Sequence, residues 1–406
     1  MSWTLERAED HLLGLELFGM RFGLERMRRL LTALGSPQQA FRAVHVVGTN
    51  GKSSTARFTA GILAEHDLCV GAYVSPHLTS FAERIEIDGL PLEPNEFAAA
   101  VERTARAADM VERTSADERV TQFELLTAAA LSAFAEHDVE IAVVEAGLGG
   151  RWDATNVLDA RVVVLTNVGL EHTRWLGPTV PHIAAEKLAV VRPGATLVCG
   201  PVDDAVVALA RATGAQVVHV GAPADIPSLP PFQRVNFAAA EAAADAIAGP
   251  LDSDAVARAA FEALVPGRFH RVDDDPVTIL DGAHNPSGLA ALAAGLRELL
   301  PGRPLVAVMS VLDDKDAGAM LRELLPLCTA AVFTSSANPR ALPPGTLASL
   351  AGQLGGPPSE VERDPRKALA RARELAGPEG AVVATGSIYL VADLLSPPGT
   401  RRASAL

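Results

Sequence analysis

The sequence predicts an α/β protein of two units, each organised around a mostly parallel sheet. Strand-like apolar runs alternate with helical patterns along the chain. The runs are continuously hydrophobic rather than alternating, as strands covered on both faces are. The length of 406 residues, at about 150 per domain, gives two or three domains.

In chain order, Ala43–Val47, Cys69–Val74, Ile141–Glu145, Val162–Thr166, Thr196–Cys199 and Gln216–Val220 read as buried strands. Glu83–Ile87, Asp88-Gly89 and Leu90–Leu92 read as a short hairpin, with glycine supplying positive φ. A proline-rich surface loop from Pro223 to Pro231 precedes an alanine-rich helix, Arg234–Ala248. Leu264-Val265-Pro266-Gly267-Arg268 ends a further helix and reads as an interdomain linker, giving a first domain over 1–266. The alternation then restarts over 269–396. Strands are expected at Val277–Leu280, Leu305–Met309, Ala330–Thr334 and Ala381–Thr385, separated by helices near 286–300, 314–325, 343–354 and 365–376. Some 135 residues suffice for a second core. The tail, 397–406, lacks periodicity and is expected to be disordered.

Composition narrows the function classes. The net charge is −14, which argues against binding nucleic acid or an anionic membrane, since both reward a positive face. No apolar run approaches the roughly 18 residues that span a bilayer. Met1–Asp10 carries mixed charge and lacks the apolar stretch of a signal peptide, so a cytoplasmic enzyme is expected. The three cysteines, Cys69, Cys199 and Cys328, lie far apart with no metal-ligand spacing and read as free thiols.

The strongest chemical signal is Gly48-Thr49-Asn50-Gly51-Lys52-Ser53-Ser54, directly after a strand and opening a helix that runs to about Glu65. Glycines let the backbone wrap phosphates, N–H groups at a helix start point at them, Lys52 adds a point charge, and a hydroxyl can reach Mg²⁺. Val46 stands where the usual GxxxxGK loop has its first glycine, so this is not the ordinary ATPase or GTPase loop. Two other strand ends point to the same place. One carries Glu145 before Ala146-Gly147-Leu148-Gly149-Gly150-Arg151, and the other leads into Asn167–His172. Ligands of open α/β sheets bind at such carboxyl ends. A carboxylate and an imidazole there could hold a metal; His172 alone is equally well a capping or packing histidine, because Mg²⁺ prefers oxygen.

Five motifs follow one another: GTNGKSS; Ser75-Pro76-His77-Leu78 leading to Phe81–Ile85; EAGLGGRWDATN at 145–156; NVGLEH at 167–172; and DGAHNP at 281–286. Together they resemble the dihydrofolate synthase and folylpolyglutamate synthase branch of the Mur ligase superfamily, over about Gly23 to Ile388. The resemblance implies an N-terminal phosphate-loop ATPase domain and a smaller C-terminal Rossmann-like domain, with ATP between them. It implies that Gly48–Lys52 cradle the triphosphate. Ser54, Ser75, Glu145 and His172 would ligate Mg²⁺, with the hydroxyl shared in principle by Ser53, where the family has glycine. Lys187 matches a lysine that carries a carbamate, although by sequence alone it is a helix-surface lysine. Asn236, Arg268 and Asp281 match nucleotide contacts, and His284 a residue facing glutamate. On the pterin side the matching segments are Arg21-Phe22-Gly23, Thr121-Gln122-Phe123-Glu124 and Trp152-Asp153-Ala154. Phe123 either stacks on a heterocycle or fills a helix core. Ser387 either faces glutamate or caps a helix.

The implied reaction moves the ATP γ-phosphoryl onto a carboxylate of dihydropteroate or a folate, after which the amine of L-glutamate attacks and phosphate leaves. Positioning and charge neutralisation by Lys52 and Mg²⁺ suit it. The resemblance favours a monomer. A peptidoglycan-building Mur ligase would carry an extra N-terminal domain, for which a phosphate loop starting at Gly48 comes too early. A phosphate-loop switch protein would want an NKxD tetrapeptide, and none occurs.

Overall fold

The structure is a computed structural model that describes residues 2–15, 23–114 and 119–397. The chain forms two compact units, one of Met1–Ala224 and Val235–Ala263, the other of Asp225–Arg234 and Leu264–Leu406. The tail beyond Pro397 lies outside the described residues.

The first unit holds β1 (Arg42–Val47), β2 (Val70–Tyr73), β3 (Ile85–Ile87), β4 (Leu90–Pro91), β5 (Ile141–Glu145), β6 (Val162–Leu165), β7 (Thr196–Cys199) and β8 (Gln216–His219). Their order across the sheet is β4-β3-β2-β5-β1-β6-β7-β8. All pairings across the sheet from β2 to β8 are parallel, and only the β2–β3 and β3–β4 pairings are antiparallel. β1, flanked by β5 and β6, is buried along all but its first residue, which explains its unbroken apolar sequence. Chain leaves β1 toward β2 on one side and leaves β6 toward β7 on the other. That reversal opens the sheet's ligand crevice at the carboxyl ends of β1 and β6. Helix Lys52–Ala64 packs on β2 and β5, while Pro94–Thr114 and Gln122–Glu136 pair with each other and with helices Leu5–Gly14 and Glu25–Ala33.

One expected strand start is corrected. Phe81–Arg84 is a 3-10 turn, because Ser80 and Glu83 close a reciprocal capping box across it, and the strand begins at Ile85. The long helix likewise starts at Pro231, three residues earlier than the alanine pattern suggests, with proline preorganising its first turn.

The second unit holds β9 (His270–Asp274), β10 (Val277–Leu280), β11 (Leu305–Met309), β12 (Cys328–Phe333), β13 (Ser359–Val361) and β14 (Ala381–Thr385), in the order β13-β12-β11-β14-β10-β9. Only β9 is antiparallel. Ile279, Leu292, Leu296, Met309, Leu321, Phe333 and Val383 build its core between sheet and helices. β9 and β13 went unread in the sequence, since both are polar and exposed. No helix among the described residues is long and apolar enough to cross a membrane.

Candidate active site

Gly48–Gly51 turns the chain from β1 into helix Lys52–Ala64, with Gly51 in the left-handed region at φ 82°. Any side chain on Gly51 would collide with the Asn236 amide, and one on Gly48 with Thr166 Oγ1, so both backbones need glycine. Asn236 is thereby placed against the loop. The loop is laced to the segment after β6: Thr49 N donates to Asn167 O at 3.0 Å, Asn50 N to Asn167 Oδ1 at 3.0 Å, and Gly169 N to Thr49 Oγ1 at 3.0 Å. Lys52 Nζ donates to Thr49 O at 3.2 Å.

Glu145 ends β5 beside this loop and is buried. Ser53 Oγ donates to its Oε1 at 3.0 Å and Ser75 N to its Oε2 at 2.9 Å, while Ser75 O lies 3.3 Å from Ser53 Oγ. Ser53 thus presents its hydroxyl to the carboxylate, and Ser54 sits buried in the first helical turn. Clustered hard oxygens of this kind suit Mg²⁺, which takes few protein ligands and leaves the rest to water and phosphates. No group of three or more His, Cys, Asp and Glu that could hold a metal occurs among the described residues. His172 follows β6 on the same edge of the sheet, with left-handed φ of 51°. Its side chain makes no cap to the short helix Thr173–Leu176, so the capping alternative fails. Its Nε2 stands 3.9 Å from Glu171 Oε1.

Lys187 differs from its reading as a surface lysine. It is 4% exposed and donates from Nζ to Gly48 O at 2.7 Å. The backbone of Gly150 lies on the end of its helix, where a Cβ would come within 2.7 Å of Glu186 O and Lys187 O. Burial first, and the nearby Lys52 charge second, push its pKa down to about 7. Much of it is therefore the neutral, nucleophilic amine at neutral pH.

The pterin-side segments divide. Arg21 and Phe22 lie outside the described residues, and Gly23 opens the described chain before helix Glu25–Ala33 with φ 126°. Thr121 caps helix Gln122–Glu136 and closes a capping box with Glu124, which also takes a bidentate contact from buried Arg26, its Nη2 at 2.7 Å. Gln122 donates to Leu12 O at 2.7 Å. These three side chains hold helices together. Phe123, half-buried, lies against the Gly147 backbone with Tyr73 6.1 Å away between ring centroids. Trp152 is exposed, Asp153 is buried, and Ala154 begins a 3-10 turn capped by Asp153.

In the second unit, Asp281 is buried at the end of β10, accepting from Phe269 N at 2.7 Å and Ala283 N at 2.8 Å. Burial raises its pKa despite those bonds. Arg268 extends its guanidinium over Gly282. His284 Nδ1 lies 2.9 Å from Gly282 O, so Nδ1 carries a proton and donates to that carbonyl. Ser387 is buried and accepts from Tyr389 N at 3.1 Å, which makes it the helix cap that its position after a strand suggested.

A glycine loop, lysine and carboxylate at the carboxyl edge of a parallel sheet define the class: a phosphate-loop nucleotide-binding α/β protein. Residues 267–388 match the family model described as Mur ligase, glutamate ligase domain. The chain is 36% identical over 382 residues to the dihydrofolate synthase/folylpolyglutamate synthase of Mycobacterium tuberculosis, covering 82% of this chain and 78% of that protein. Its fold matches M. tuberculosis folylpolyglutamate synthase complexed with ADP at a TM-score of 0.87 and 33% identity, covering 96% of each chain. It also matches the bifunctional Yersinia pestis enzyme complexed with AMPPNP and Mn ion at 0.84 and 29%, covering 97% of each. The chain belongs to the dihydrofolate synthase/folylpolyglutamate synthase family.

Proposed function

We propose that the protein is an ATP-dependent ligase that adds L-glutamate to dihydropteroate, to the γ-carboxyl of reduced folates, or to both, releasing ADP and phosphate. The observation that carries the site is the Ser53 hydroxyl on Glu145, 3.0 Å apart, at the mouth of a phosphate loop. A carboxylate is a poor electrophile, so it is first phosphorylated. Lys52 neutralises charge on the moving phosphoryl group, and loop N–H groups hold the other phosphates. Ser75, Glu145 and His172, with the hydroxyl of Ser53 or Ser54, would hold Mg²⁺, which when bound offsets the phosphate charge. Asp281, Arg268 and Asn236 serve the nucleotide, and His284 and Ser387 the incoming glutamate. Water destroys an acyl phosphate, so the site must exclude it before the amine arrives.

The domains in this reading are 1–266 for ATP and 269–396 for glutamate, acting as a monomer in the cytoplasm without nucleic acid. Lys187 carries a carbamate. A neutral amine is the form that captures CO₂, and a pKa near 7 supplies it. The test is ATP consumption in the presence of a pteroate, glutamate, or both, with products weighed by mass spectrometry for dihydropteroate and tetrahydrofolate separately. Release of ADP only when both substrates are present, with a mass gain of one glutamyl unit, is expected; ADP release that ignores the pteroate sinks the reading.

A further inference from the structure

His45 sits mid-strand in β1, beside Val144 and Val163, three residues before the phosphate loop. It is 1% exposed, and a polar group there is costly unless bonded. Its Nε2 lies 2.8 Å from Thr155 Oγ1. The Thr155 hydroxyl has one proton, and it goes to Asp153 Oδ1. Nε2 must then be the donor, which fixes the tautomer. Burial first and the Arg192 charge second lower the pKa of His45 to about 3, so the ring stays neutral throughout the physiological range. Asp153 in turn accepts Thr155 N at 3.0 Å and, on Oδ2, Leu148 N at 2.8 Å. An ordered chain of three side chains therefore joins the strand that delivers the phosphate loop to the turn after Glu145 and to the 152–154 segment. Nothing in phosphoryl transfer uses an imidazole at this place.

We infer that His45 is a positioning residue: its fixed N–H orients Thr155 and, through it, the Asp153 carboxylate, so that Trp152–Ala154 meets the pterin-bearing substrate in one geometry. This rests on the proposed function and on the family resemblance that sets Trp152–Ala154 on the pterin side. The chain has a direction. Removing the first donor frees the Thr155 hydroxyl to rotate away from Asp153, and one oxygen of a buried carboxylate then loses its strongest neutral donor.

The experiment compares His45→Leu, His45→Gln, Thr155→Val and the double variant His45→Leu/Thr155→Val. For each, KM of dihydropteroate or tetrahydrofolate, kcat, ADP affinity and melting temperature are measured. Leucine and valine should each raise KM for the pterin substrate about tenfold, the scale of one buried hydrogen bond. ADP affinity should stay at the wild-type value and kcat within about threefold, and the double variant should lose no more than either single one, since the chain acts as one unit. Glutamine, whose amide can still donate, should recover most of the loss. A His45→Leu variant that loses ADP affinity in parallel, or whose defect glutamine does not relieve, overturns the inference in favour of a packing role. If histidine variants fail to fold, Thr155→Val decides alone: a wild-type KM there overturns it. Wild-type enzyme that consumes no ATP with pteroate and glutamate overturns the proposed function and this inference together, whereas intact wild-type turnover confines any failure to His45.

Discussion

The carboxyl edges of the two sheets carry similar residue types put to different uses. At the first, a lysine is buried beside a second lysine, a histidine takes left-handed backbone, and glycines sit where a Cβ would collide. Each costs stability. At the second, the polar side chains have local duties: Asp281 receives two backbone N–H groups, Asn285 caps helix Pro286–Leu299, and Ser387 caps helix Ile388–Leu395. Left-handed backbone and tight glycine contacts occur at the second edge too, at Phe269 (φ 50°) and Gly386 (φ 97°); what sets the first edge apart is a buried lysine whose charge burial opposes.

That contrast can be broken by substitution, because at the first edge activity and stability should separate and at the second they should fall together. Lys52→Ala should lower glutamate-dependent ADP release by about 10³-fold, with circular dichroism and melting temperature unchanged; near-normal turnover would remove Lys52 from the chemistry. Lys187→Met should cost about 10²-fold in turnover yet stabilise the fold at pH 7. In CO₂-free buffer, where Lys187 is the unmodified amine, the native lysine titrates near 7 and the unfolded one at 10.5. The unfolded chain therefore binds the extra proton between these values, and wild-type stability rises with pH across that window. Methionine removes the slope, with a net gain of about 2 kcal/mol at neutral pH after subtracting the Gly48 carbonyl that loses its donor. Denaturant titrations of both proteins at pH 7 and pH 10 check this, and parallel curves would refute it.

At the second edge, Asp281→Asn leaves one backbone N–H facing an amide donor and should cost about 2 kcal/mol in denaturant unfolding, with nucleotide affinity falling as well. Ser387→Ala should cost about 1 kcal/mol, the usual worth of a helix cap, and raise KM for glutamate only modestly. An unchanged denaturation midpoint in Ser387→Ala would mean that its hydroxyl serves the substrate rather than the helix.

The buried strands were legible because continuous Val, Ile and Ala runs have few other uses in a chain this size; Gln216–Val220, expected to be buried too, forms the partly exposed edge strand β8. β9 and β13 were not, since an edge strand needs only one partner and no apolar face. Among site residues, the phosphate loop announced itself through its strand–turn–helix setting, and Glu145 through its place at a strand end. The burial of Lys187 was invisible, because the Gly48 carbonyl that its amine meets lies 139 positions away in the chain. Thr121-x-x-Glu124 did carry its own signal, since that spacing is the capping box the structure displays. His45 gave none beyond being a polar residue in an apolar run; its meaning lies in Thr155, which folding alone brings within reach.

The margins of the second sheet bear on how the protein behaves at high concentration. β9 presents Arg271, Asp273 and Asp274 along its exposed rim, and β13 presents Ser359 and Glu360. Charge on a strand with unpaired peptide groups discourages another copy from docking ladder to ladder. Replacing that rim's charges with valines would remove this protection, and light scattering should show more self-association than in the native chain.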